Sequence, residues 1–153
     1  MNDVIYDIML VIDTNVLVAG LRSRNGASFP ILKALGEGRL LAAASAALLF
    51  EYEAVLRRDD QLSAFWLDET EIDSLLGVLA SKLYPTPIHF EWRPQLTDPG
   101  DEKVLETAIN AAARAIVTHN TSDFIPNTLR FGIEVITPAE LLRQQPELME
   151  DKQ

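Results

Sequence analysis

At 153 residues, 48% hydrophobic and 24% charged, the chain is long enough for one domain with a real core. It has no cysteine, which excludes disulfides and thiolate metal sites and is compatible with a cytoplasmic location. A formal net charge of −10 argues against broad nucleic-acid binding and leaves two readings, carboxylates gathered at a metal site or a surface for a basic partner.

Asp3 and Asp7 stand where a secretory leader would be basic, so no signal segment is expected. No apolar run reaches membrane-spanning length. Ile8-Met9-Leu10-Val11-Ile12 then runs unbroken into Asp13-Thr14-Asn15. Such a run predicts a strand buried on both faces of a parallel sheet. Ligands bind beyond the carboxyl ends of such strands, where Asp13 stands. Asp13 is equally readable as the cap of the next helix.

Arg22 and Arg24 lie in a polar loop, either simply solvated or placed to hold phosphates. A helix is predicted from Ser28, with Gly36 and Gly38 ending it. Leu40–Ala44 is a weaker strand, because alanine has low β-propensity. Ser45 caps a helix to about Arg57. On it, Glu53 pairs with Arg57 and is expected in solvent. Glu51 borders the buried stripe of Leu48, Tyr52 and Val55. A carboxylate there needs a cation, a donor or local water. Phe65 and Trp66 read as core or dimer contact before base-stacking platforms.

A helix from about Thr70 to Leu83 starts among acids, as its dipole favours. Ile88-His89-Phe90 is predicted as a short strand, with His89 structural. Asp98-Pro99 opens the next helix as cap and first-turn pair. Asp98 reads as the cap. Asp101 shares a stripe with Val104, Leu105 and Ala108, and reads as site before capping box. Glu102, Lys103, Glu106 and Asn110 fall on the opposite face. Ala115–Thr118 is the next buried strand, followed by a polar turn with Asn120, Ser122 and Asp123. Ile133–Ile136 is the last strand, and Thr137 to Glu140 form a capping box. Residues 1–145 form the expected single domain, and 146–153 a frayed tail.

Alternating strands and helices predict an α/β fold with a parallel sheet. Asp13, Glu51, Asp101 and Asp123 are expected to converge at its carboxyl edge with no basic side chain among them. Like charges so placed call for a hard divalent cation, Mg²⁺ or Mn²⁺. Such a site suits hydrolysis of a phosphodiester.

Four segments in this order resemble a PIN domain: Ile12–Val16, Ser45–Leu56, Asp98–Ala108 and Ile116–Phe124. The nearest branch is the VapC-like bacterial toxins of toxin–antitoxin pairs. The resemblance implies a three-layer α/β/α fold around a five-stranded parallel sheet. It implies a Mg²⁺- or Mn²⁺-dependent endoribonuclease, a homodimer and an antitoxin partner. The family's regular acids fall on Asp13, Glu51 and Asp101, with the fourth on Asp123. Relatives often carry an acid where this chain has Asn120, which leaves the fourth ligand open between these two. Thr14, Asn15 and Thr118 would orient ligands or water, with Asp98 and Asn120 beside them. Arg22, Arg24 and Lys103 flank the acids and are expected to form the substrate path. Two other readings compete. A haloacid-dehalogenase-like phosphatase wants a second Asp where Asn15 stands. A catalytically silent PIN-like domain would bind protein or RNA without cutting.

Overall fold

The computed structural model describes residues 8–91 and 93–150. Asp3 and Asp7, the acids of the leader argument, and residues 151–153 lie outside them. The strands are β1 (Leu10–Ile12), β2 (Ala43–Ala44), β3 (Tyr84–Pro85), β4 (Ala115–Val117) and β5 (Glu134–Ile136). The helices are α1 (Thr14–Arg22), α2 (Ser28–Gly36), α3 (Ala46–Leu56), α4 (Asp59–Leu62), α5 (Glu69–Lys82), α6 (Glu102–Asn110) and α7 (Pro138–Gln144).

All strand pairs are parallel, as the unbroken apolar runs require. The five strands do not form the one continuous sheet expected. β1, β4 and β5 form a three-stranded sheet, in the order β1-β4-β5. β2 and β3 form a separate two-stranded ladder. Among the described residues one isolated bridge, Leu10 to Ala42, joins the two, supported by the Leu10 amide donating to the Leu41 carbonyl at 3.0 Å. The weak link has a cause in sequence. Leu40–Ala44 is alanine-rich, and alanine lacks the branched side chain that packs a pleated surface. The predicted strand at Ile88–Phe90 is not formed. Its place is taken by Tyr84–Pro85, and the His89 and Phe90 amides donate instead to Asn110 Oδ1 at 2.8 and 2.9 Å.

Val11, Ile12, Ile116 and Val117 are fully buried and form the centre of the core. α6 packs on β1 and β4. α1 and α2 pack so closely at Gly20 that a Cβ there would meet the Ser28 carbonyl at 3.1 Å. Trp66 packs edge-on to Phe29, and its Nε1 donates to the Gly20 carbonyl at 2.9 Å. That places it with the core. The predicted helix caps form: Ser45 accepts from the Leu48 amide at 3.2 Å, and Thr137 and Glu140 close a capping box. Pro146–Met149 forms a short 3₁₀ helix with Leu148 buried, in the stretch expected to be frayed. A proline at its first position and an apolar anchor account for this order.

The expected solvated face of α6 is also different. Glu102 and Glu106 are buried. Glu102 Oε2 accepts the Gln95 and Leu96 amides, each at 2.9 Å, and Glu106 is held by Arg93. The long connection between β3 and α6 lies over this face. A helical period read alone cannot see a loop that covers it.

Candidate active site

Register brings the first two groups together. Ile12 pairs with Val117, so the next residues, Asp13 and Thr118, stand side by side at the carboxyl ends of β1 and β4. The Asp13 amide continues the ladder, donating to the Val117 carbonyl at 2.9 Å. The order of strands reverses at β1, the point where parallel sheets bind ligands. Asp13 is buried and makes no side-chain cap to α1. Thr118 donates to its Oδ2 at 2.8 Å and Asn15 Nδ2 at 3.3 Å. Asn15 also spans to Thr118 Oγ1 at 3.2 Å and accepts the His119 amide at 3.3 Å. Burial pushes the Asp13 carboxyl up and Thr118 pulls it back, while the charges of Glu51 and Asp123 push it further up.

α3 carries Glu51 from the other ladder. Thr14 donates its hydroxyl to Glu51 Oε2. Lys103 Nζ donates to Glu51 Oε1 at 2.9 Å and to the Gly100 carbonyl at 2.9 Å. Next to Glu51, the buried Tyr52 hydroxyl donates to the Ile12 carbonyl, tying α3 to β1. Burial, with the nearby Asp13 and Glu51 charges, holds this phenol protonated. Ser45 and Thr107 share a buried hydrogen bond of 2.8 Å that fixes α3 against α6.

Asp98 and Asp101 separate as the sequence suggests. Asp98 is exposed and caps the turn, accepting the Gly100 amide at 2.9 Å. Asp101 makes no side-chain cap. Its Oδ2 is buried without a hydrogen-bond partner. Burial raises its pKa to about 6, with the Asp13, Asp98, Asp123 and Glu51 charges pushing the same way. Asp123 sits in the 3₁₀ turn Thr121–Asp123, exposed, and its charge bears on both Asp13 and Asp101. Asn120 is also exposed, and its amide donates to Thr118 Oγ1 at 3.1 Å.

The donor set suits a hard cation at Asp13 and Asp101: an Asp101 oxygen is buried without a partner, and burial first, then neighbouring acids, raises each carboxyl. Among the described residues, however, no group of three or more His, Asp or Glu side chains is arranged to hold one ion. Each Glu51 oxygen already accepts one hydrogen bond, from Thr14 and from Lys103.

The sequence matches the PIN domain family over residues 9–122. The chain belongs to the PIN domain family. Among solved structures, this PIN domain is similar to the crystal structure of VapBC2 from Rickettsia felis bound to a DNA fragment from their promoter. The match has 17% identity and a TM-score of 0.56, and covers 85% of this chain and 98% of that one. At that identity the likeness concerns the fold. Comparison with curated proteins finds no match.

Two features of this PIN domain escape a sequence reading. Lys103, expected on the far face of α6 and on a substrate path, reaches into the acids instead. The signal was the repulsion argument itself: acids this close need a cation, and Lys103 lies within the same segment as Asp101. The two arginines do not join it. α1 rises about 12 Å between Thr14 and Arg22. There the Arg22 guanidinium holds Gln61 Oε1 at 2.9 Å. The Arg24 guanidinium lies 4.3 Å from the Trp66 ring centroid.

Proposed function

We propose that this PIN domain is a metal-dependent endoribonuclease that hydrolyses RNA phosphodiesters, the toxin of a toxin–antitoxin pair. The observation that carries the reading is Asp101 Oδ2, buried and unpartnered beside the Asp13 charge. A buried acceptor without a donor calls for an ion or a water. Asp13 and Asp101 are the groups that would hold Mg²⁺ or Mn²⁺, with Asp123 on the same side. The ion would polarise the phosphate and lower the pKa of an attacking water. Thr118 and Asn15 fix the Asp13 carboxylate, and Thr14 fixes Glu51. A VapB-like antitoxin, a homodimer and a cytoplasmic location belong to the same proposal. The VapBC2 likeness supports the first of these. No described helix is long and apolar enough to cross a membrane, which fits the last.

The second reading is a silent PIN-like module that binds protein or RNA. The engagement of Glu51 by Lys103 favours it. Incubation of the protein with fluorescent RNA, with and without Mn²⁺, separates the two. Cutting that needs Mn²⁺ and is lost in Asp13→Asn supports the nuclease. Equal absence of cutting, together with no heat of Mn²⁺ binding, supports the silent module.

A further inference from the structure

We propose that Lys103 is a resident cation of the acid cluster, holding Glu51 so that the site takes one divalent ion, on Asp13 and Asp101. The proposal rests on the metal-dependent reading above. Glu51 then anchors the ammonium and is not a ligand of the ion. Three observations carry this. First, Lys103 Nζ is 2.9 Å from both Glu51 Oε1 and the Gly100 carbonyl, so the ammonium is seated by two acceptors from different elements. Both side chains of the pair are 24% exposed, which limits screening by water. Second, the other Glu51 oxygen is taken by Thr14, while Asp101 Oδ2 has no partner. The wholly unpartnered buried acceptor is thus on Asp101, while each Glu51 oxygen already has a donor. Third, Lys103 stands in the first turn of α6, at the positive end of the helix, where a lysine is disfavoured. A local rule broken at one residue is expected where that residue has a function or a compensating partner. Here the partner is Glu51. A second divalent ion on Glu51 would lie against the ammonium, whose charge repels it.

The test is Mn²⁺ binding, counted by calorimetry and by electron paramagnetic resonance of free Mn²⁺. The wild type is expected to bind one ion. Glu51→Gln should also bind one, with affinity reduced by less than about threefold, short of the roughly 10–100-fold loss typical when a supporting group of a metal site is removed. Lys103→Met frees Glu51 and should bind a second ion, and Lys103→Met/Glu51→Gln should bind one again. Two ions in the wild type, or a tenfold or greater loss in Glu51→Gln, overturns the proposal while leaving the metal-dependent reading intact. No ion in the wild type overturns both. Nitrogen-15 spectra of the lysine ammonium in the wild type provide a check that needs no variant. The slowly exchanging Lys103 signal should persist at saturating Mg²⁺, and its loss refutes the proposal.

Discussion

Asp101→Asn should stabilise the metal-free protein at neutral pH and leave it unchanged in acid. The Asp101 carboxyl has its pKa raised to about 6 in the folded chain, from 3.8. A raised acid binds more protons folded than unfolded, so wild-type stability falls as pH rises from about 4 to above 6. Two pKa units correspond to about 3 kcal/mol, and partial exposure of the side chain reduces this to about 1–2 kcal/mol. In a domain of this size each kcal/mol moves the melting temperature by about 2–4 °C. Asparagine carries no charge at any of these pH values, and its amide can donate to the neighbouring carboxylates. The variant should therefore melt about 4 °C higher than wild type at pH 7.5 in EDTA. The difference should vanish near pH 4. Differential scanning calorimetry across that range measures both. Saturating Mn²⁺ should reverse the order, because an ion at 100 times its Kd adds about 2.7 kcal/mol to a protein that binds it. An asparagine variant less stable at pH 7.5, or equally advantaged at pH 4, would refute the claim that Asp101 is a repelled, ion-ready carboxylate.

Two helical glycines, Gly20 in α1 and Gly77 in α5, should respond in opposite ways. Gly20→Ala places a Cβ 3.1 Å from the Ser28 carbonyl and 3.3 Å from Leu32 Cβ, and should lose about 1–2 kcal/mol in urea unfolding. Gly77→Ala meets nothing within 4 Å in mid-α5 and should gain about 0.5–1 kcal/mol; the same sign at both positions would count against the packing of α1 on α2. Glu102→Ala strips the acceptor from the Gln95 and Leu96 amides, and should cost about 2 kcal/mol and speed proteolysis within residues 86–97. Unchanged stability there would mean that the loop is held by other contacts.

The sequence made the centre of this fold legible and its periphery less so. Leu10–Ile12 and Ala115–Val117 are unambiguous because every position in them is apolar and buried. The Thr137–Glu140 capping box and the Ser45 cap are local chemistry, so they form where they are read, whereas the capping box of Asp68 and Glu71 shows in the sequence reading only as an acidic helix start. Helical phase also separates Asp98, which caps the turn, from Asp101, which does not cap and has its Oδ2 buried. What failed was non-local. A helix face is buried or solvated according to what crosses it, and the 86–97 connection covers Glu102 and Glu106. The destination of Lys103 depends on how α3 approaches α6, which four side-chain torsions and a separation of 52 residues hide from any sequence window.

The Leu10–Ala42 bridge between the two ladders acts as a seam through the face that carries the acids. Asp13 and Asp123 ride on one flank of it and Glu51 on the other. Across it run the Leu10 amide, the Tyr52 hydroxyl and the Thr14 hydroxyl, each donating to the opposite side. Ala43, Leu48 and Tyr52 share one core with Leu10 and Ile12, so parting the flanks costs apolar burial as well as these hydrogen bonds, while β1, β4 and β5 stay zipped. Such breathing would spread the acids without unfolding the domain, and the Leu10 amide would register it by exchanging its proton before those of Val117 and Ile136.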